Sequence, residues 1–195
     1  MSAVPKTRAE TASQTAGPYM HIGLMPQGAG LGRHPSPLGE VIASPNVPGE
    51  RITITGTLFD GDAAPVKDAL IEVWQADAAG VYSGQGETYA GFIGWGRTIT
   101  DADTGNFTIK TIKPGAVAPT DAPHLNLWII ARGINIGLHT RVYFDDEPQA
   151  NATDPLLQKL EEANRKSTLI ARKNAAMYHF NIHLQGTDET VFLDV

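Results

Sequence analysis

The chain has no cysteine among its 195 residues. That absence excludes a disulfide framework, a zinc knuckle, an iron–sulfur cluster and a thiol nucleophile. Any metal must be held by His, Asp, Glu or Tyr. Charge is also scarce, at 18% of residues, against roughly 25% in a typical domain. The formal net charge of −6 argues against a nucleic-acid surface, which requires a basic patch. No apolar run reaches the length of about 18 residues that a membrane helix requires. The stretch from Met1 to Tyr19 has no apolar segment after its basic residues and predicts no secretory signal. The expectation is a cytoplasmic protein with no nucleic-acid partner and no membrane. What is plentiful is turn chemistry, with 20 Gly and 13 Pro. A turn-rich, charge-poor chain predicts many short strands and a surface partly covered by a partner. The length suits one domain with a core of its own.

Residues 1–50 carry no hydrophobic period and are rich in Gly and Pro from Ser13 to Glu50. They read as an N-terminal arm or leader, too long for an ordinary loop. Residues 51–195 read as a single β-sandwich domain. Arg51-Ile-Thr-Ile-Thr-Gly-Thr-Leu alternates as a half-buried strand does. Ala69 to Gln75 predicts a second strand, Leu125 to Ala131 a central one, and Gly137 to Phe144 another with His139, Arg141 and Tyr143 on one face. Asp101-Ala-Asp-Thr-Gly between Arg97-Thr-Ile-Thr and Asn106-Phe-Thr-Ile-Lys predicts a hairpin. The only helical signal spans Ala150 to Arg172, with Asp154 as N-cap and Pro155 at the first helical position. Met177 to Gln185 and Thr190 to Leu193 predict the last strands. The fold class is therefore all-β: an antiparallel β-sandwich with one short helical region and an extended N-terminal arm.

The six histidines, His21, His34, His124, His139, His179 and His183, do not build a metal site by spacing. His179 and His183 have helical spacing, but Tyr178, Phe180, Ile182 and Leu184 alternate between them as in a strand. Four strand positions span about 13 Å, too far to share one ion. His124 is followed at the same-face position by Asn126, an amide that binds transition metals poorly. The run Gly28-Ala-Gly-Leu-Gly lacks a P-loop frame, and no Ser sits in a nucleophile elbow. Asp145, Asp146 and Glu147 read as a solvated turn.

Six segments together carry a resemblance. They are Ser13-Gln-Thr-Ala-Gly-Pro-Tyr19 with His21-Ile-Gly-Leu; Leu70-Ile-Glu-Val-Trp-Gln-Ala-Asp-Ala-Ala-Gly-Val-Tyr82; Thr111-Ile-Lys-Pro-Gly115; Ala122-Pro-His-Leu-Asn126; Ala131-Arg-Gly-Ile-Asn-Ile136 with Leu138 to Asp146; and Gly186 to Val195. They resemble the intradiol dioxygenase family, in its heteromeric branch of α and β chains, over nearly the whole sequence. The resemblance implies that an iron-bearing β subunit holds Fe(III) through two Tyr and two His. The reaction it implies joins 3,4-dihydroxybenzoate and O₂ into 3-carboxy-cis,cis-muconate.

Carried onto this chain, the four ligand positions fall at Tyr82, Val117, His124 and Asn126, and a helper Arg position falls at Asp121. Two donors are lost and the helper charge is reversed, so the resemblance implies an α chain that does not itself bind the metal. It implies a role in shaping the partner's substrate site, with Arg132, Tyr19, Gly17 and Thr15 as substrate-side residues and no catalytic residue in this chain. The competing readings are a self-sufficient catechol-type dioxygenase, disfavoured by Val117 and Asn126, and a non-enzymatic sandwich binding module.

Overall fold

The computed structural model describes residues 12, 14–28, 30–32, 39–175 and 177–194. Sequence readings at residues 1–11, Ser13, His34 and Val195 lie outside these.

Nine strands and four short helices build the described residues. In chain order they are α1 (Met20–Leu24), β1 (Arg51–Phe59), β2 (Leu70–Gln75), β3 (Trp95–Ile99), β4 (Asn106–Ile112), β5 (His124–Ile130) and β6 (Leu138–Phe144). There follow α2 (Pro148–Thr153), α3 (Pro155–Lys159), α4 (Ala163–Ser167), β7 (Ile170–Asn174), β8 (Met177–His179) and β9 (Ile182–His183). Hydrogen bonding links the strands in the order β3-β2-β5-β6-β7-β8-β1-β4, with β9 beside β1. The expectation of a mostly-strand chain with few short helices holds. The antiparallel expectation is not fully met: β1–β8, β1–β9 and β6–β7 pair in parallel, the last because a helical connection returns the chain alongside β6.

The alternation in β1 does what it predicts. Ile52, Ile54 and Leu58 are buried and the threonines between them half-buried. Gly56 takes an inward position where a Cβ would sit 1.7 Å from the Phe180 carbonyl oxygen, so only glycine fits. Ile71 and Val73 of β2, Leu125, Leu127 and Ile129 of β5, and Val142 and Phe144 of β6 meet the inward side chains of β1 in one core. A second cluster packs Leu157 of α3 and Leu169 against Tyr143.

Four local readings change. Asp101–Gly105 is a tight turn, with Asp101 Oδ1 accepting from the Asp103 and Thr104 amides and Gly105 at φ +71°. It does not close a hairpin, because β3 pairs with β2 and β4 with β1. The turn carries the chain from one end of the ladder to the other. The helical region breaks into three. Pro155 cannot continue α2, Asp154 Oδ1 caps α3 at Leu156 and Leu157, and Ile170–Asn174 is a strand on β6 and β8. The run from Met177 to Gln185 is interrupted at Phe180–Asn181, where Asn181 Oδ1 accepts the Thr57 amide in place of a ladder carbonyl. Thr190 to Leu193 makes only a bridge at Leu193 to His139, its other backbone bonds going to His183 and the Thr140 and Thr168 hydroxyls.

The acidic turn after β6 is not simply solvated. Asp146 accepts from Lys113, Lys173 and the Tyr178 hydroxyl at 2.8–3.0 Å. Burial pushes its carboxyl up, but the three donors outweigh it and hold its pKa down at about 2. The arm contains a helical turn that no period announced, α1, tied to β3 by Arg97 Nη1 donating to the Leu24 carbonyl (3.3 Å).

Candidate functional site

Strand β5 carries a cluster of chemistry at each end. At its start, the register pairs His124 with Tyr143 and Asn126 with Arg141 of β6, while Trp74 of β2 faces Asn126 from the other side. Alternation puts these side chains on the sheet face away from the main core. Two loops close over them. The first runs Asp77 to Tyr82; the second holds Ala116 and Val117. Gly80 lies at φ +84°, and a Cβ there would meet the Ala116 carbonyl oxygen at 2.0 Å. Glycine thus brings the Tyr82 loop against the Val117 loop.

Of the four positions singled out by sequence, Tyr82 and Asn126 bond each other within a hydrogen-bonded chain that His124 and Val117 do not join. Asn126 Nδ2 donates to the Tyr82 hydroxyl (2.8 Å). Arg141 Nε donates to Asn126 Oδ1 (3.1 Å) and Nη1 to the Tyr143 hydroxyl (3.2 Å). Tyr143 donates to Asp154 Oδ1 (3.1 Å). Asp154 also accepts the Ala122 amide (3.0 Å) and the two cap amides of α3. His124 is 4% exposed, with Nδ1 2.8 Å from the Ala122 carbonyl oxygen. Val117 is exposed and has no donor atom.

This set does not fit a ferric ion. Iron needs anionic phenolate and neutral imidazole lone pairs. The Tyr82 phenol is pushed up by burial, which outweighs the help of Asn126 and Arg141. His124 is lowered by burial and then by the Arg141 charge, so its lone pair exists, but a fixed guanidinium stands beside it. That fixed positive charge opposes an added metal cation. Among the described residues, no group of three or more His, Asp or Glu could hold a metal. Sequence reading placed Arg141 on the right face but gave it no role. Its place opposite Asn126 comes from the β5–β6 register, which no window of sequence shows.

Beside this cluster, a groove of about 450 Å³ is lined by Trp74, Trp95, Trp128 and His139. Glu72 at its floor pairs with Arg97 (3.0 Å).

The far end of β5 holds the other cluster. Arg132 follows the strand in a turn and bonds Asp68 through Nε. The Gly133 amide donates to the Thr15 hydroxyl (2.6 Å), so the arm reaches the Arg132 turn. Gly17 has nothing within 4 Å of a Cβ position, and its carbonyl accepts the Met20 amide (3.2 Å). Tyr19, at the start of α1, is 79% exposed. A cleft of about 520 Å³ is lined by Pro18, His21, Lys67, Asp68 and Arg132. Thr15 and Arg132 therefore come together, with Gly17 and Tyr19 on the same short segment of arm. None of them meets the first cluster, because six strand positions from Asn126 to Arg132 span about 20 Å. His21, Lys67 and Asp68 were not singled out by sequence.

Comparison with known proteins agrees in one direction. The dioxygenase family model Dioxygenase_C matches residues 40–186. The protocatechuate 3,4-dioxygenase alpha chain of Pseudomonas putida is 46% identical over 193 residues, 95% of this chain and 96% of that one. The protocatechuate 3,4-dioxygenase beta chain of Burkholderia cepacia is 36% identical over 161 residues, covering 73% of this chain and 67% of that one. The solved dioxygenase domain from Streptomyces sp. SirexAA-E superposes with a TM-score of 0.60 at 28% identity, over 82% of this chain and 93% of that one. With the family model spanning most of the sequence and the alpha chain matching end to end, this chain belongs to the intradiol ring-cleavage dioxygenase family.

Proposed function

We propose that this chain is the iron-free α subunit of a protocatechuate 3,4-dioxygenase. In this reading it is a cytoplasmic subunit that works with an iron-bearing β subunit on 3,4-dihydroxybenzoate and O₂. Residues 51–195 are its single sandwich domain, and residues 1–50 are an arm completed by the partner. Arg132, with Thr15, Gly17 and Tyr19, belongs to the substrate side of the partner's site. One observation carries the reading: Arg132 lies beyond the end of β5, about 20 Å from Asn126, the nearer of the two remnant positions on that strand. A substrate-side residue that far from its own chain's remnant would serve a metal held by another chain. The carboxylate of 3,4-dihydroxybenzoate suits a guanidinium, whose charge-assisted hydrogen bond is worth about 1.5–3 kcal/mol.

Expression of the chain alone and together with its β subunit tests this. Alone, it is expected to purify without iron, without a visible tyrosinate-to-iron band and without ring cleavage. Together, the two chains form a coloured heteromer that cleaves 3,4-dihydroxybenzoate. Stoichiometric ferric iron and turnover in the isolated chain would overturn the proposal.

A further inference from the structure

We infer that Asp68 is a positioning residue for Arg132, gripping one edge of its guanidinium so that the other is set to take a carboxylate. The inference rests on the reading of Arg132 as a substrate-side contact. It begins in strand register. β2 and β5 are antiparallel, with Leu70 opposite Ile130. Continued two residues past the strand ends, that register sets Asp68 opposite Arg132, where cross-strand side chains meet. Both backbones are anchored. Ala69 donates its amide to the buried Thr100 hydroxyl (3.0 Å), and Gly133 donates to Thr15.

The side chains divide the labour. Asp68 is 16% exposed and Arg132 61% exposed, so the anchor is sheltered and the working end open. The bond uses Nε. The Nη1–Nη2 edge has no hydrogen-bond partner among the described residues, and that edge matches a carboxylate with two parallel N–H donors. A guanidinium already aligned loses less side-chain freedom when a ligand arrives. Asp68 alone would cancel the charge that attracts the ligand. Lys67, lining the same cleft, restores a positive balance against a single carboxylate.

The test uses the heteromer with its iron-bearing β subunit and the variants Asp68→Ala, Asp68→Glu, Arg132→Ala and Asp68→Ala/Arg132→Ala. Arg132→Ala is expected to raise KM for 3,4-dihydroxybenzoate tenfold or more, roughly 1.4 kcal/mol. Asp68→Ala raises it about fivefold with kcat held within about twofold. Asp68→Glu recovers part of the loss. The double variant is no worse than Arg132→Ala, the non-additivity expected of one unit. Anaerobic titration with catechol, which lacks the carboxylate, gives an unchanged Kd for Asp68→Ala. If Arg132→Ala raises KM but Asp68→Ala does not, the positioning role falls and the substrate-side reading stands. An equal loss for catechol, or full additivity in the double variant, also overturns the positioning role. If Arg132→Ala leaves KM unchanged, the substrate-side reading falls and takes this inference with it.

Discussion

The two ends of β5 carry similar materials and use them in opposite ways. At the start, Arg141 donates into Asn126 and Tyr143, Tyr143 into Asp154, and Asp154 accepts three backbone amides. The polar groups of that end largely satisfy one another, and Asp154 and Tyr143 are almost fully buried. At the far end Arg132 uses only its Nε, leaving the rest of a strong donor set exposed. A fully bonded polar network stabilises the fold and rejects ligands. A cation with spare donors on a rigid turn adds little stability but remains able to bind. The same strand thus separates a site that has become structure from one that keeps the means to recognise an anion.

The sharpest way to break the comparison is to give the first end its donors back. Val117→Tyr with Asn126→His supplies the missing ligand types, yet the Arg141 charge would still oppose a ferric ion. That double variant is expected to stay iron-free. Adding Arg141→Gln, which keeps a hydrogen-bond donor and removes the charge, is expected to permit iron uptake. Metal analysis and the visible tyrosinate band read both results. Iron in the double variant would show that Arg141 is not what excludes the metal.

The next largest effect is on stability. Asp154→Ala removes the cap of α3, orphans the Ala122 amide and takes the acceptor from the Tyr143 hydroxyl, which keeps its bond from Arg141. A lost cap costs about 1 kcal/mol, the orphaned amide about 1–3 and the lost Tyr143 hydrogen bond about 1, so a loss of about 3–5 kcal/mol in urea unfolding is expected. Arg132→Ala, at the other end, should change stability by less than about 0.5 kcal/mol. Equal losses at the two ends would erase the distinction.

The sequence made legible whatever depends on neighbours a few residues away. The alternation of β1, the Asp154–Pro155 helix start and the turn at Asp101 were readable because each signal is local. The hairpin was misread because turn chemistry says where the chain bends, not where its flanking strands find partners. β7 was invisible within the helical region: Ile170-Ala-Arg-Lys-Asn is too short for a period, and its partners β6 and β8 supply the order. The site divides likewise. Tyr82, His124 and Arg132 are singled out through motif resemblance. Arg141 acquires its meaning only from standing opposite Asn126, and Asp68 only from the β2–β5 register. Charge neighbours fixed by register are not written in any window of sequence.

The smallest expected effect concerns pH and the buried imidazole. His124 is lowered below its usual pKa first by burial and then by Arg141 on β6. Its Ala122 hydrogen bond and the carboxylates of Asp154 and Asp121 only partly offset this, and the Tyr143 ring packs 5.4 Å away. The folded protein therefore holds fewer protons at this site than the unfolded chain between the lowered value and about 6.5. Stability rises with pH wherever the unfolded state binds more protons. The contribution is complete above about pH 6.5 and is lost as pH falls through the lowered folded value. NMR titration should show the His124 ring remaining neutral below the usual histidine range. Arg141→Gln should bring its titration back toward that range, because it removes the second cause while leaving the burial. Failure of that variant to move the titration would mean that burial alone holds His124 neutral. The guanidinium would then lose its claim to set the electrostatics at this end of the strand.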